Sequence, residues 1–249
     1  MPPAKPRPAI LSNDAWLVRQ ALLMTLLAML LLAVFENTAL DLSLQAYFYD
    51  PLLGDFTLRR HWFFERVMHH GLKQACYVLL FFATGVCLFG IRGKLDWLPR
   101  RDAWLALVGM LLIPASIALL KQFTQRHCPW DVVDFGGYAP YVGLLGNLPD
   151  DIAQGKCFPA GHAAGGLAWI VWAIVLRESK PRLARLILIG SLTLGLLMGL
   201  ARMAQGAHFL SHTLWSAWWA WALSLALAAA FYPRSRKFAL PATDAGSAH

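Results

Sequence analysis

The sequence predicts an all-α, polytopic membrane protein, a six-transmembrane-helix bundle with short interfacial helices on the outer side. Three observations predict it. The 249 residues are 58% hydrophobic and only 14% charged, with 11 Trp and a mean hydropathy of +0.49, more apolar than a soluble domain of this size requires. Six stretches, 16–36, 73–91, 103–121, 160–177, 184–203 and 212–232, approach the roughly 20 apolar residues that cross a bilayer as a helix. The basic residues, finally, fall on one side of those stretches.

Residues 1–15 begin MPPAKPRP and precede the first apolar run. That run is too long for a signal-peptide core and has no small-residue cleavage site before Glu36, so it reads as an uncleaved signal anchor. The long segment 37–72 holds NTALDLSLQAYFYDP and RRHWFFERVMHHG, with apolar and aromatic residues at helical spacing among charges, as in helices lying in the interface. The second and third helices are joined by the short loop Arg92–Arg101, and a second long segment, 122–159, follows the third. Arg177–Arg185 joins the fourth and fifth helices, and 233–249 forms a tail expected to be disordered. The whole chain, 1–249, reads as one membrane domain with its bundle at 16–232.

Lys5, Arg7, Arg19, Arg92, Lys94, Arg100, Arg101, Arg177, Lys180, Arg182, Arg185, Arg234, Arg236 and Lys237 make up 14 of the 22 Lys and Arg, all on one side. The positive-inside bias puts both termini and the two short loops in the cytoplasm and the two long segments outside. The formal charge of +8 therefore reports topology. A nucleic-acid partner is not expected.

With that topology, His61, His69, His70, His127, His162, His208 and His212 all lie in or beside outer segments. Ionisable groups at such depth are expensive and mark function. The candidates at outer helix ends, Lys121, Arg126, His162, Arg202, His208 and His212, gather in three clusters: KQFTQRHCPWD from Lys121 to Asp131, CFPAGHA from Cys157 to Ala163, and ARMAQGAHFLSH from Ala201 to His212. Cations and free amides at a helix start neutralise phosphoryl oxygens. One histidine can attack phosphorus and a second protonate the leaving oxygen, so the set suits phosphoryl transfer. Singly, each residue has a plainer reading: Lys121 as a snorkelling anchor, a histidine as an interfacial polar group, Pro-Ala-Gly as an ordinary helix start. Their coincidence on one face favours chemistry.

The clusters resemble the type 2 phosphatidic acid phosphatase superfamily, whose motifs are K-x6-R-P, P-S-G-H and S-R-x5-H-x3-D. Lys121 and Pro129 match the first, Pro159, Gly161 and His162 the second, Arg202 and His208 the third. The likeness covers about 40–230. It implies that His208 forms a phosphohistidine, His162 protonates the leaving group, and Lys121 and Arg202 grip the phosphate beside Ala160 and Gly161. No metal and no cofactor is implied. Cys128, Ala160, Ala201 and His212 depart from the motif Arg, Ser, Ser and Asp. Arg126 is expected to reach the oxygen served by the missing Arg, and His212, four residues on, to orient His208. Cys128 and Cys157, both outside and both flanking motifs, are expected to form a disulfide. Cys76 and Cys87 read as buried apolar side chains.

The resemblance implies a membrane lipid-phosphate phosphatase in a bacterial inner membrane, multi-pass, with both termini cytoplasmic and the site facing the periplasm or outside. Its substrate would be a phosphomonoester or pyrophosphate on an isoprenyl lipid, lipid A or a glycerophospholipid. Lipid-to-lipid phosphotransfer, a catalytically degenerate lipid-binding accessory protein, and a metal pair of His208 and His212 with His162 or His127 stay open as alternatives. The 37–72 segment either frames a lateral gate for the lipid or packs as an aromatic belt. Oligomeric state is not encoded legibly.

Overall fold

The computed structural model of the protein describes residues 11–232; the segment 1–10 and the expected tail at 233–249 lie outside them. Helices run α1 (Leu11–Asn37), α2 (Leu40–Ala46), α3 (Leu72–Ile91), α4 (Arg100–Leu120), α5 (Ala163–Leu167), α6 (Val171–Val175), α7 (Pro181–Ala204) and α8 (Leu210–Phe231). A two-stranded antiparallel hairpin, β1 (Tyr49–Asp50) and β2 (Asp55–Phe56), follows α2. Among the described residues, five helices have the length and apolarity to cross a membrane: Ala15–Asn37, Phe63–Ile91, Arg100–Leu120, Pro181–Ala204 and Leu210–Phe231. The chain is a polytopic all-α membrane protein.

The expected count of six is approximate. The stretch predicted at 160–177 forms the shorter helix Ala163–Val175, interrupted by a 3-10 turn at Ala168–Ile170. At 1.5 Å per residue that is about 20 Å, short of a hydrocarbon core of about 30 Å. It is the inner element of the bundle: Val171, Trp172, Ala173, Ile174 and Val175 are all buried. Small residues let the neighbours close on it. A Cβ on Gly166 would lie 2.5 Å from the Gly195 backbone nitrogen, and one on Gly109 would lie 2.6 Å from Val171 Cγ2.

The second correction concerns RRHWFFERVMHHG. Instead of a separate interfacial helix, Phe63–Gly71 is a π-helical segment running directly into α3, a continuous helix of 29 residues. Gly71, which separates His70 from Leu72, keeps right-handed helical dihedrals, so the hydrogen-bonded ladder continues.

The alternating run of α1, α3, α4, α5, α7 and α8 brings the end of α1, the start of α3, the end of α4, the start of α5, the end of α7 and the start of α8 to one end of the bundle. The long segments cap that end. Buried Asp41 accepts from the Ser211 backbone N–H at 3.0 Å, from the Ser211 hydroxyl, and from Tyr141 Oη at 3.2 Å. The Glu36 carboxylate accepts from Leu144 N at 2.6 Å and Leu145 N at 3.2 Å. Gln45 Nε2 donates to Met203 O at 2.8 Å. Phe56, Val132, Phe135 and Phe209 form an apolar cluster beneath the cap.

Candidate active site at the loop-rich end

Lys121, His162, Arg202 and His208 sit at or beside helix termini. Lys121 closes α4, His162 precedes α5, Arg202 lies in the last turn of α7, and His208 occupies the turn between α7 and α8. Backbone bonds fix the second cluster on the third: Ala160 N donates to His212 O at 3.0 Å, and Ser216 Oγ donates to Ala160 O at 3.1 Å. The Thr124 hydroxyl donates to Phe158 O, tying the first cluster to the second. Gly161 lies beneath the Lys121 side chain, for an added Cβ would stand 3.5 Å from Lys121 Cδ and Nζ.

Burial, then the neighbouring His212, then the positive charges of Lys121 and Arg202 hold His208 well below its ordinary pKa. It is a neutral imidazole with a free lone pair at pH 7, the form a nucleophile needs. Burial, followed by the charge of Arg202, also lowers Lys121. His162, pressed by burial and then by His69, is lowered to about 4. Its Nε2 lies 3.4 Å from Met68 O. The structure thus brings Lys121, Ala160, Gly161, His162, Arg202, His208 and His212 to one end and sets four of them around His208.

Two expected residues have other surroundings. Arg126 Nη2 donates to Leu144 O at 2.8 Å and Gly146 O at 2.7 Å, so its guanidinium holds the 144–146 loop. His212 is buried with its ring centroid 5.7 Å from that of His208 at 68°, between Phe158 and Phe209. Nδ1 of both histidines lacks a hydrogen-bond partner. The two do not share a helical face, because α8 starts at Leu210 after an extended Phe209; the turn sets their relation.

Cys128 and Cys157 are joined, their Cα atoms 5.2 Å apart and 29 residues apart in sequence. The bridge fastens the segment after α4 to the one before α5, beside the bond from Cys157 N to Arg126 O at 2.8 Å. Cys76 and Cys87 are free and buried.

Among the described residues, two groups place potential metal-ligating atoms within 4.8 Å of one another. In Cys157, His208 and His212, the sulfur is taken by the disulfide. In Glu65, His69 and His70, the Arg202 guanidinium stands 3.3 Å from His69 Nδ1, a like charge for any cation bound there. His127 is turned away, with Nε2 2.9 Å from Ala153 O. Neither group fits a metal well.

Sequence reasoning missed Glu65, His69 and Gln205, which surround Arg202. The available signal was the His69-His70 doublet four and five residues after Glu65, which a π-helical turn gathers on one face. Two cavities adjoin the site. One, small and open to solvent, lies between Glu36, Arg126, Tyr141, Phe158, His212 and Trp215. The other, an open groove, runs along Cys76, Pro114, Gly165, Trp169 and Met198 and ends at His162.

The chain is similar over 86% of its length, and over 93% of the other chain, to a transmembrane PAP2-type phosphatidylglycerolphosphate phosphatase from Bacillus subtilis, with 18% identity and a TM-score of 0.46. No curated protein matches the sequence. The model of the PAP2 superfamily matches residues 102–236, more than half of the chain and all three clusters, and the chain belongs to that superfamily.

Proposed function

We propose that the protein is a membrane lipid-phosphate phosphatase acting through a phosphohistidine on His208. The observation that carries this reading is the convergence on one buried, neutral histidine of Lys121, Arg202 and His162, from three separate helix ends. Lys121 and Arg202 neutralise the phosphoryl oxygens as charge develops on them. The His208 lone pair forms the new bond to phosphorus while the bond to the lipid oxygen breaks, and His162 gives that oxygen its proton. A bound phosphate anion beside His162 raises its proton affinity, which supplies the acid form. Water then attacks phosphorus while the bond to the His208 nitrogen breaks; His162, left neutral by the first step, takes a proton from that water, and inorganic phosphate leaves.

The groove explains why the phosphate would be carried by a lipid. It is lined mainly by apolar and small side chains at the level of the spanning helices and meets the polar site at His162. The bias of Arg92, Lys94, Arg100, Arg101, Arg177, Lys180, Arg182 and Arg185 to the other end favours a site on the outer face of an inner membrane.

Purified protein in detergent, given isoprenyl diphosphate, lipid A and phosphatidylglycerophosphate in turn, tests the reading. Release of inorganic phosphate from at least one is expected. Tight binding of every lipid with no release would favour the accessory-protein alternative, and phosphate appearing on an added lipid acceptor would favour transfer.

A further inference from the structure

The π-helical segment Phe63–Gly71 precedes the residues matched by the family model, 102–236, and yet it touches two of the proposed catalytic groups. Bonding from i to i+5, as between Leu72 N and Val67 O, widens the turn. Residues four and five apart then return to the same face: Glu65 Oε1 lies 3.4 Å from His69 Nδ1 and 3.1 Å from His70 Nε2.

Arg202 meets this face. Its Nη1 donates to Gln205 Oε1 at 2.8 Å, lies 3.3 Å from His69 Nδ1, and is 3.9 Å from Glu65 Oε2. Gln205, 1% exposed, donates Nε2 to Glu65 Oε2 at 3.1 Å and to Arg59 O at 3.1 Å, which fixes its amide oxygen toward Arg202. The same segment holds His162: the His69 ring meets it edge-on at 4.7 Å, and Met68 O faces its Nε2 at 3.4 Å. The Arg202 side chain is only 14% exposed, and a cation so far removed from water needs an anion or its guanidinium is mispositioned. The carboxylate acting on it is that of Glu65. No carboxylate stands at the third motif's Asp position, where this chain has His212.

We infer that Glu65, acting through Gln205 and His69, is a positioning residue of the active site, setting the Arg202 guanidinium for the phosphate and the His162 ring for the leaving oxygen. The inference rests on the phosphatase reading above. A carboxylate from the second spanning helix thus serves the arginine and the acid histidine, while His208 keeps its neutral ring among Lys121, Arg202, His162 and His212.

A double-substitution cycle tests it on the purified full chain with whichever lipid phosphate the wild type hydrolyses. Glu65→Gln keeps the shape and an oxygen for Gln205 but removes the charge. It should lower kcat by about 10- to 100-fold, the cost of misplacing a reacting group, with KM within about threefold. In an Arg202→Lys background the same change should cost less than about twofold. His70→Ala removes a Glu65 contact without touching Arg202 or His162 and should leave kcat within about twofold. Glu65→Asp should recover most of the loss, and Glu65→Ala, which also removes the charge, takes the place of Glu65→Gln in the cycle if that variant does not fold. Wild-type kcat in Glu65→Gln, or an equal loss with and without Arg202, overturns the inference alone. Absence of turnover in the wild type overturns the phosphatase reading and this inference together.

Discussion

The polar crown around His208 and the apolar groove that ends at His162 differ in how tightly they are held. In the crown, the Cys128–Cys157 bridge, the Glu36 and Asp41 carboxylates, and the Ala160–His212 backbone bond fasten every segment that carries a charged or basic group. In the groove, Cys76, Gly165 and Met198 meet at ordinary van der Waals distances, with an added Cβ on Gly165 standing 3.4 Å from Met198 Cε. Phosphoryl transfer depends on placement to a fraction of an ångström, whereas a lipid chain requires volume and apolar walls. Changes in the crown should therefore be all-or-none and changes in the groove graded.

The largest expected effect is in the crown. His208→Asn should reduce turnover by about 10⁴-fold or more, as loss of a nucleophile does elsewhere, and steady-state phosphate release measures it. His162→Ala should cost about 10²- to 10⁴-fold, more for poor leaving groups than for good ones. An equal loss across leaving groups would reduce His162 to a binding role and weaken the contrast.

The bridge sets the rigidity of the crown. It closes a loop of about 30 residues, for a separation of 29, worth roughly 3–4 kcal/mol in the chain-entropy model. Reduction, or Cys128→Ser with Cys157→Ser, should lower the thermal midpoint in detergent and slow turnover. Thiol counting before and after reduction should give two and four free thiols; four before reduction would remove this fastening altogether.

The pH profile sharpens the electrostatic half of the contrast. His208 is held neutral well below the ordinary histidine value of 6.5, by burial first. The acid limb of kcat/KM should therefore fall below pH 6.5, because protonation that silences the nucleophile comes late. The same sign governs stability: with His162 lowered to about 4, the unfolded chain takes up protons first as pH drops. Its contribution, full above about pH 6.5, is lost as pH falls toward 4. A limb centred at or above 6.5 would mean that the crown is wetter than its burial indicates.

The smallest effect belongs to the groove. Gly165→Leu should raise KM a few-fold for long-chain lipid phosphates and leave short-chain ones nearly unchanged, since bulk is added along the chain and away from phosphorus.

Much of this was legible in the sequence because it is written in composition and spacing. Five of the spanning stretches follow from length and hydropathy, and Lys121, His162, Arg202 and His208 stand out as candidates because they are polar residues where apolar ones belong. Other features depend on contacts between distant segments. The shortness of the Ala163–Val175 helix follows from burial on all sides and from the Gly166–Gly195 approach, which no periodicity signals. Arg126 was assigned to phosphate by its nearness to Cys128, but its guanidinium meets carbonyls of a loop 18 and 20 residues away. The role of Glu65 was hidden because the partners that give it one, Arg202 and Gln205, stand at the far end of α7 and just beyond it.

The most direct measurement is a rapid, acid-free quench of the protein turning over a phosphate-labelled lipid, followed by peptide mapping. The expected result is an alkali-stable, acid-labile phosphohistidine on the peptide containing His208, absent from His208→Asn. Full turnover by His208→Asn, or a label trapped on another residue, would contradict His208 as the nucleophile.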